Sequence, residues 1–186
     1  SISMHEEQLQ VAQRIESFFD RIKDLDWRLG IITTDPFEFD PYENNVYDPF
    51  ADGALVPFPN GSYFIDASLS TLDAKSLFAQ TIFRPEEGNG QERGIHNVYR
   101  AIERSLDPVN ETNQRLRQFF RGEASLSVVV ISDENETLVN GVGALLPDQL
   151  KSVPQELINL VHRTWGQQKA FSFNSVVGQP GAHPCI

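Results

Sequence analysis

The stretch Leu126-Ser127-Val128-Val129-Val130-Ile131-Ser132-Asp133 decides how the rest of the chain is read. A run this apolar, with so little alternation, predicts a central parallel strand buried on both faces. The polar block Ser132-Asp133-Glu134-Asn135-Glu136 ends it abruptly. Working outward, Trp27-Arg28-Leu29-Gly30-Ile31-Ile32-Thr33-Thr34 is a second largely apolar run. Asp35-Pro36 stops it, because proline fixes its own φ and restricts the residue before it. Ser62 to Asp66 and Lys169 to Val177 read as two further strands, the last alternating Phe171, Phe173 and Ser175 with Ser172, Asn174 and Val176.

Helical periods fill the spaces between. From Met4 to Leu25 the residues Val11, Ile15, Phe18 and Ile22 recur at helix spacing. Ser70 and Asp73 form a capping-box variant for a short helix through Phe78. Ile95, Val98, Ile102 and Leu106 mark another helix, closed by Asp107-Pro108, and Asn110 to Arg121 holds a short one. Ser152 and Gln155 fit a capping box with Pro154 in the first turn, ahead of Leu157, Ile158, Val161 and Trp165 on one face. Strands alternating with helices in this order predict an α/β, three-layer sandwich with a mostly parallel central sheet, Rossmann-like in architecture. Both buried runs, Trp27 to Thr34 and Leu126 to Ile131, are expected in that one sheet.

The chain has 186 residues, which suits a single domain. Residues 36–61 carry five prolines and six aromatic rings, which predicts an ordered aromatic-rich insertion rather than a linker. Both ends read as cut: Ser1 directly precedes a helical pattern, and Cys185-Ile186 follow a loop-like stretch. The net charge of -11 repels phosphate backbones and anionic lipid, so nucleic acid and membrane surfaces are poor partners, whereas cations and basic surfaces are good ones. No apolar run is long enough for a membrane span, so direct membrane insertion is not expected.

In an open α/β sheet, ligands bind beyond the carboxyl ends of the strands. Asp35, Asp66 and Asp133 fall at such ends. Asp133 differs in being followed by Glu134 and Glu136, so that like charges converge where a cation would relieve them. Ser1 and Ser3, two hydroxyls just before a helix, add hard oxygen donors suited to Mg²⁺. His5, His96, His162 and His183 are too scattered for a zinc motif.

These residues together resemble a von Willebrand factor type A domain, in the version found in bacterial exported lipoproteins. The resemblance is carried by Ser1-Ile2-Ser3-Met4 before a helix, the Trp27 to Asp35 strand and the aromatic-rich region after it. The glycine-rich loop Gly88-Asn89-Gly90-Gln91-Glu92-Arg93-Gly94, Phe120-Arg121, and Ile131-Ser132-Asp133-Glu134 complete it. It implies a metal-ion-dependent adhesion site with Ser1 and Ser3 as the motif serines and Asp133 as the distal Asp. The family's first Asp would lie two residues before Ser1. Its loop Thr falls on Gln91, with Glu92 beside it as a stronger hard ligand. The implied ligand set is therefore Ser1, Ser3, Gln91, Glu92 and Asp133, and the implied ion is Mg²⁺, with Mn²⁺ or Ca²⁺ as substitutes. The resemblance also implies an exported protein of the bacterial cell envelope.

On this reading the chain is a binding or adhesion module that engages a carboxylate of a protein partner through the metal. The alternative is a structural scaffold whose site has lost its metal. A metal-dependent hydrolase is disfavoured, because the chain lacks a phosphate-binding loop ending in Lys-Ser/Thr and a Gly-x-Ser-x-Gly elbow. The chain is thus not expected to be an enzyme.

Overall fold

The run from Trp27 to Thr34 leaves its ladder after two residues, and this sets the architecture. The computed structural model describes residues 5–36 (side chains from Gln8 onward), 48–83, 92–132, 136 and 147–176. In chain order these form α1 (His5–Ile22), β1 (Arg28–Leu29), β2 (Ile65–Asp66), α2 (Thr71–Ile82), α3 (Gly94–Leu106), α4 (Glu111–Phe119), β3 (Leu126–Ile131), α5 (Pro147–Leu150), α6 (Pro154–Trp165) and β4 (Phe171–Val176). The chain divides into two compact units, Ser1–Ile31 with Leu55–Gly88, and Ile32–Ala54 with Asn89–Ile186.

In the first unit β1 and β2 pair antiparallel, Arg28 opposite Asp66 and Leu29 opposite Ile65. The core is aromatic. Phe19 packs edge-on to Phe78 and tilted against Trp27, with Phe58, Ile65 and Ala74 around them. The helix period of α1 is as expected, but its buried ring is not. Phe19 is 1% exposed and Phe18 is 42% exposed. Steps of three and four from Ile15 reach either ring, so periodicity alone does not choose between adjacent phenylalanines. The Ser70 cap of α2 forms as expected, its Oγ accepting from the Asp73 N–H at 3.1 Å and donating to the Asp73 carboxylate at 2.7 Å.

In the second unit β3 and β4 pair parallel in unbroken register from Leu126–Phe171 to Ile131–Val176. The chain between them runs through α5 and α6, and α3 and α6 supply the core residues Val98, Ile102, Leu157, Leu160 and Val161. Leu126, Val128, Phe171 and Phe173 pack against that core. Ser127, Val129, Ser172 and Asn174 point the other way and are exposed. Pro154 opens α6, but the residue before the helix is Val153, and the Ser152 hydroxyl is buried without a hydrogen-bond partner. The expected capping box of α6 is therefore not made.

These observations correct the expected fold. Among the described residues there is no three-layer, Rossmann-like sandwich, only one antiparallel and one parallel two-stranded sheet with helices around them. Trp27 to Thr34 and Leu126 to Ile131 lie in different sheets. The first run fails as a strand because its second half bonds elsewhere: the carbonyls of Thr33, Thr34 and Asp35 accept from α3 and the residue before it. The second run is half-buried on one face, with Ser127 and Val129 exposed on the other, since an apolar stretch without alternation tolerates an exposed valine as readily as a covered one. A von Willebrand factor type A domain needs the central sheet, so its main structural support is gone. Of the insertion, residues 37–47 lie outside the described residues. Beyond them Ala51 and Ala54 are buried in the second unit, and Leu55, Val56 and Phe58 in the first.

Candidate functional site

Helix α3 carries His96, Arg100 and Arg104 at successive steps of four, a stripe along one face in which the two arginines are cationic. A buried stripe of this kind requires an acid, and Asp52 supplies it. Arg100 grips Asp52 with two bonds, Nε to Oδ1 at 2.6 Å and Nη2 to Oδ2 at 2.7 Å. Arg104 Nη1 adds bonds to the Asp52 carbonyl at 2.9 Å and to Oδ2 at 3.3 Å. His96 Nε2 stands 3.9 Å from Oδ1, beyond hydrogen-bond reach. Burial works to raise the Asp52 pKa, but the bonds and charges of Arg100, with His96 and Arg104, outweigh it and hold the carboxyl at about 2. Asp52 in turn raises the Arg100 guanidinium well above its ordinary value.

The backbone is shaped for this contact. Asp52 has φ 53° and Gly53 φ 74°, both left-handed. A Cβ at Gly53 would sit 2.4 Å from the Asn97 carbonyl oxygen, so only glycine lets the loop lie against the backbone of α3. Asn97 is fully buried, and its Nδ2 donates to the carbonyls of Thr33 and Asp35, each at 2.8 Å. The Arg93 N–H donates to Thr34 at 2.8 Å. The signal for Asp52 was present in the sequence as the i, i+4, i+8 stripe of α3 beside an Asp-Gly turn, but only the tertiary structure pairs them.

The carboxyl end of β3 meets the start of α3. Glu92, 6% exposed, accepts a hydrogen bond from the Ser132 hydroxyl at 2.5 Å. Glu136 caps α3, its two oxygens accepting from the Ile95 N–H at 2.9 Å and the His96 N–H at 3.2 Å, where the helix dipole favours an anion. Arg93, buried beside Glu92, reaches Asp148 at 3.2 Å. Gly94 is held close against Val130, 2.9 Å from where its Cβ would stand. Near the other end of β3, Lys169 donates to the carbonyls of Arg121, Gly122 and Ala124 and lies 4.7 Å from the Trp165 ring centroid. Burial pushes its ammonium pKa down. Neither the Glu136 cap nor the Lys169 anchor is legible from local spacing, because each partner lies roughly forty or more residues away.

Of the five residues expected to bind metal, Ser1, Ser3, Gln91 and Asp133 lie outside the described residues. Glu92 is the exception, and the structure places it beside Ser132, the residue before Asp133. No group of three or more His, Cys, Asp or Glu among the described residues is positioned to hold a metal ion. That overturns the expectation of a resident Mg²⁺, Mn²⁺ or Ca²⁺ and the metal-ion-dependent adhesion function built on it. Glu92 and Glu136, the described acids near this sheet end, are engaged with protein donors, and the buried Arg93 brings positive charge where a cation was expected. Among the described residues no helix is long and apolar enough to cross a membrane. Comparison with protein-family models, with curated proteins and with solved structures finds no match to this chain. The identification as a von Willebrand factor type A domain is therefore withdrawn, and the exported-lipoprotein reading loses the resemblance on which it depended.

Proposed function

We propose that this chain is a metal-free, non-catalytic scaffold that engages a protein partner directly rather than through a shared cation. One observation carries the reading: among the described residues the two carboxylates at the carboxyl end of β3 are used internally, Glu92 by the Ser132 hydroxyl and Glu136 by the first amides of α3. A carboxylate already holding protein donors gains little from a cation that it must dehydrate to bind. The Ser132–Glu92 pair is a hydroxyl donating to a carboxylate. The net charge of -11 supports a protein partner over nucleic acid, because phosphate is repelled.

Calorimetric titration of Mg²⁺ into the chain tests this reading. The expected result is no saturable heat at millimolar concentration and an unfolding midpoint that EDTA leaves unchanged. Saturable heat that Asp133→Ala removes would overturn it.

A further inference from the structure

The parallel ladder determines which backbone groups of β3 are already used. The Leu126 N–H donates to the Ala170 carbonyl at 2.9 Å and the Ser132 N–H to the Val176 carbonyl at 3.2 Å. In a parallel pair every second residue faces the partner strand, so Leu126, Val128 and Val130 face β4. Ser127, Val129 and Ile131 therefore turn their N–H and C=O groups to the opposite edge, where no strand is paired among the described residues.

This edge lacks the features that ordinarily blunt one. Natural edge strands carry lysine, proline, inward charge or a bulge. From Leu126 to Ile131 there is no charged residue and no proline, and the register is unbroken. Val129, at the centre of the row, is 59% exposed. Parallel strands are otherwise found covered on both faces, and two strands alone make a marginal sheet. Donors and acceptors that no strand pairs among the described residues, beside an exposed valine, are the template a further strand needs.

We propose that the outer edge of β3 receives an extended segment of a partner protein, β-branched in sequence and flanked by lysine or arginine, as an added strand. This rests on the reading of the chain as an interaction scaffold and names the surface. Main-chain bonds to Ser127, Val129 and Ile131 supply affinity, and side chains alternating beside Val129 supply selectivity. Charge decides between a partner and a second copy. Two copies would each bring -11, whereas basic flanks complement that field.

Residue-resolved amide exchange on the whole chain tests the proposal, alone and with a synthetic peptide of alternating threonine and valine between paired lysines. Alone, the amides of Ser127, Val129 and Ile131 are expected to exchange fast while those of Val128 and Val130 are protected by β4. The peptide should slow the three outer amides by about tenfold or more. Added salt should weaken that effect, as should replacing the lysines by glutamates. Val129→Lys should abolish the peptide effect while Val128 and Val130 stay protected, which separates loss of the edge from loss of the fold. Outer amides already protected at all concentrations would mean that the chain covers its own edge. Protection that grows with protein concentration alone would mean a second copy. Outer amides unmoved by the peptide would mean that the edge takes no strand. Each of these three results overturns the proposal, and none bears on the Mg²⁺ titration, so the scaffold reading fails or stands separately.

Discussion

The two units of this chain are held together by different chemistry. The first is built on rings: Phe19, Phe58, Phe78 and Trp27 meet around Ile65 and Ala74. The second has an aliphatic core, and around it lie all the buried polar and charged residues described except Thr81, among them Glu92, Arg93, His96, Asn97, Asn113, Ser132 and Lys169. A ring removed from the first core leaves a cavity that its surroundings fill only in part. A buried polar group left without a partner is costly, so those that are paired, as Asn97 Nδ2 and Lys169 are, favour one arrangement of the loops that supply the acceptors. The first unit should therefore respond mainly to changes of volume, and the second to changes of pH as well.

The largest effect expected is in the first unit. Phe19→Ala removes a ring that is 1% exposed and should destabilise the chain by about 4 kcal/mol in denaturant unfolding. Its exchange signature should be concentrated in α1 and α2. Equal loss of protection in α3 and α6 would break the contrast between the units.

Next in size is Asp52→Asn. It leaves Arg100 and Arg104 without their buried counter-charge, and Asp52 is itself only 15% exposed. The group's ordinary value of 3.8 falls to about 2 in the fold, which corresponds to about 2 kcal/mol of stability. A depressed carboxyl contributes fully above its unfolded pKa and loses that contribution as pH falls through the folded value. The wild-type chain should therefore lose about this much between pH 5 and pH 2, and the variant should show correspondingly less of the loss. Identical acid unfolding curves for the two would remove Asp52 as the electrostatic centre of the second unit.

Smaller still is Ser70→Ala, which deletes the α2 cap and should cost about 1 kcal/mol. Smallest of all, Val129→Thr should change stability by less than about 0.5 kcal/mol, because the side chain is exposed. A cost several times larger would mean that β3 is covered on both faces after all, and the first reading of its sequence would regain its force.

How far the sequence can be read follows from these same residues. The helices of α1, α2, α3, α4 and α6 are legible because a helix is specified by period and caps within a few residues, as Ser70 and Asn110 illustrate by accepting from the N–H of Asp73 and Asn113. Strands β3 and β4 are legible as strands for the same local reason. What local pattern cannot carry is who pairs with whom. Trp27 to Thr34 was expected in a sheet with β3, and its Thr33, Thr34 and Asp35 carbonyls are instead taken by Asn97 and Arg93.

The candidate site divides along the same line. Glu92 near the end of β3 was legible from a glycine-rich loop and a strand end. The partners that make it an internal hydrogen-bond acceptor were not. By itself the sequence determined the helical segments, the two six-residue strands, the net charge and the acids gathered after β3, because each is a property of neighbours along the chain. Only the tertiary structure decided that Phe19 rather than Phe18 is buried, that Asp52 answers the α3 stripe, and that β3 has one covered face. Those outcomes depend on contacts between residues far apart in sequence, where many pairings satisfy the local pattern equally and the balance of burial and hydrogen bonding selects one.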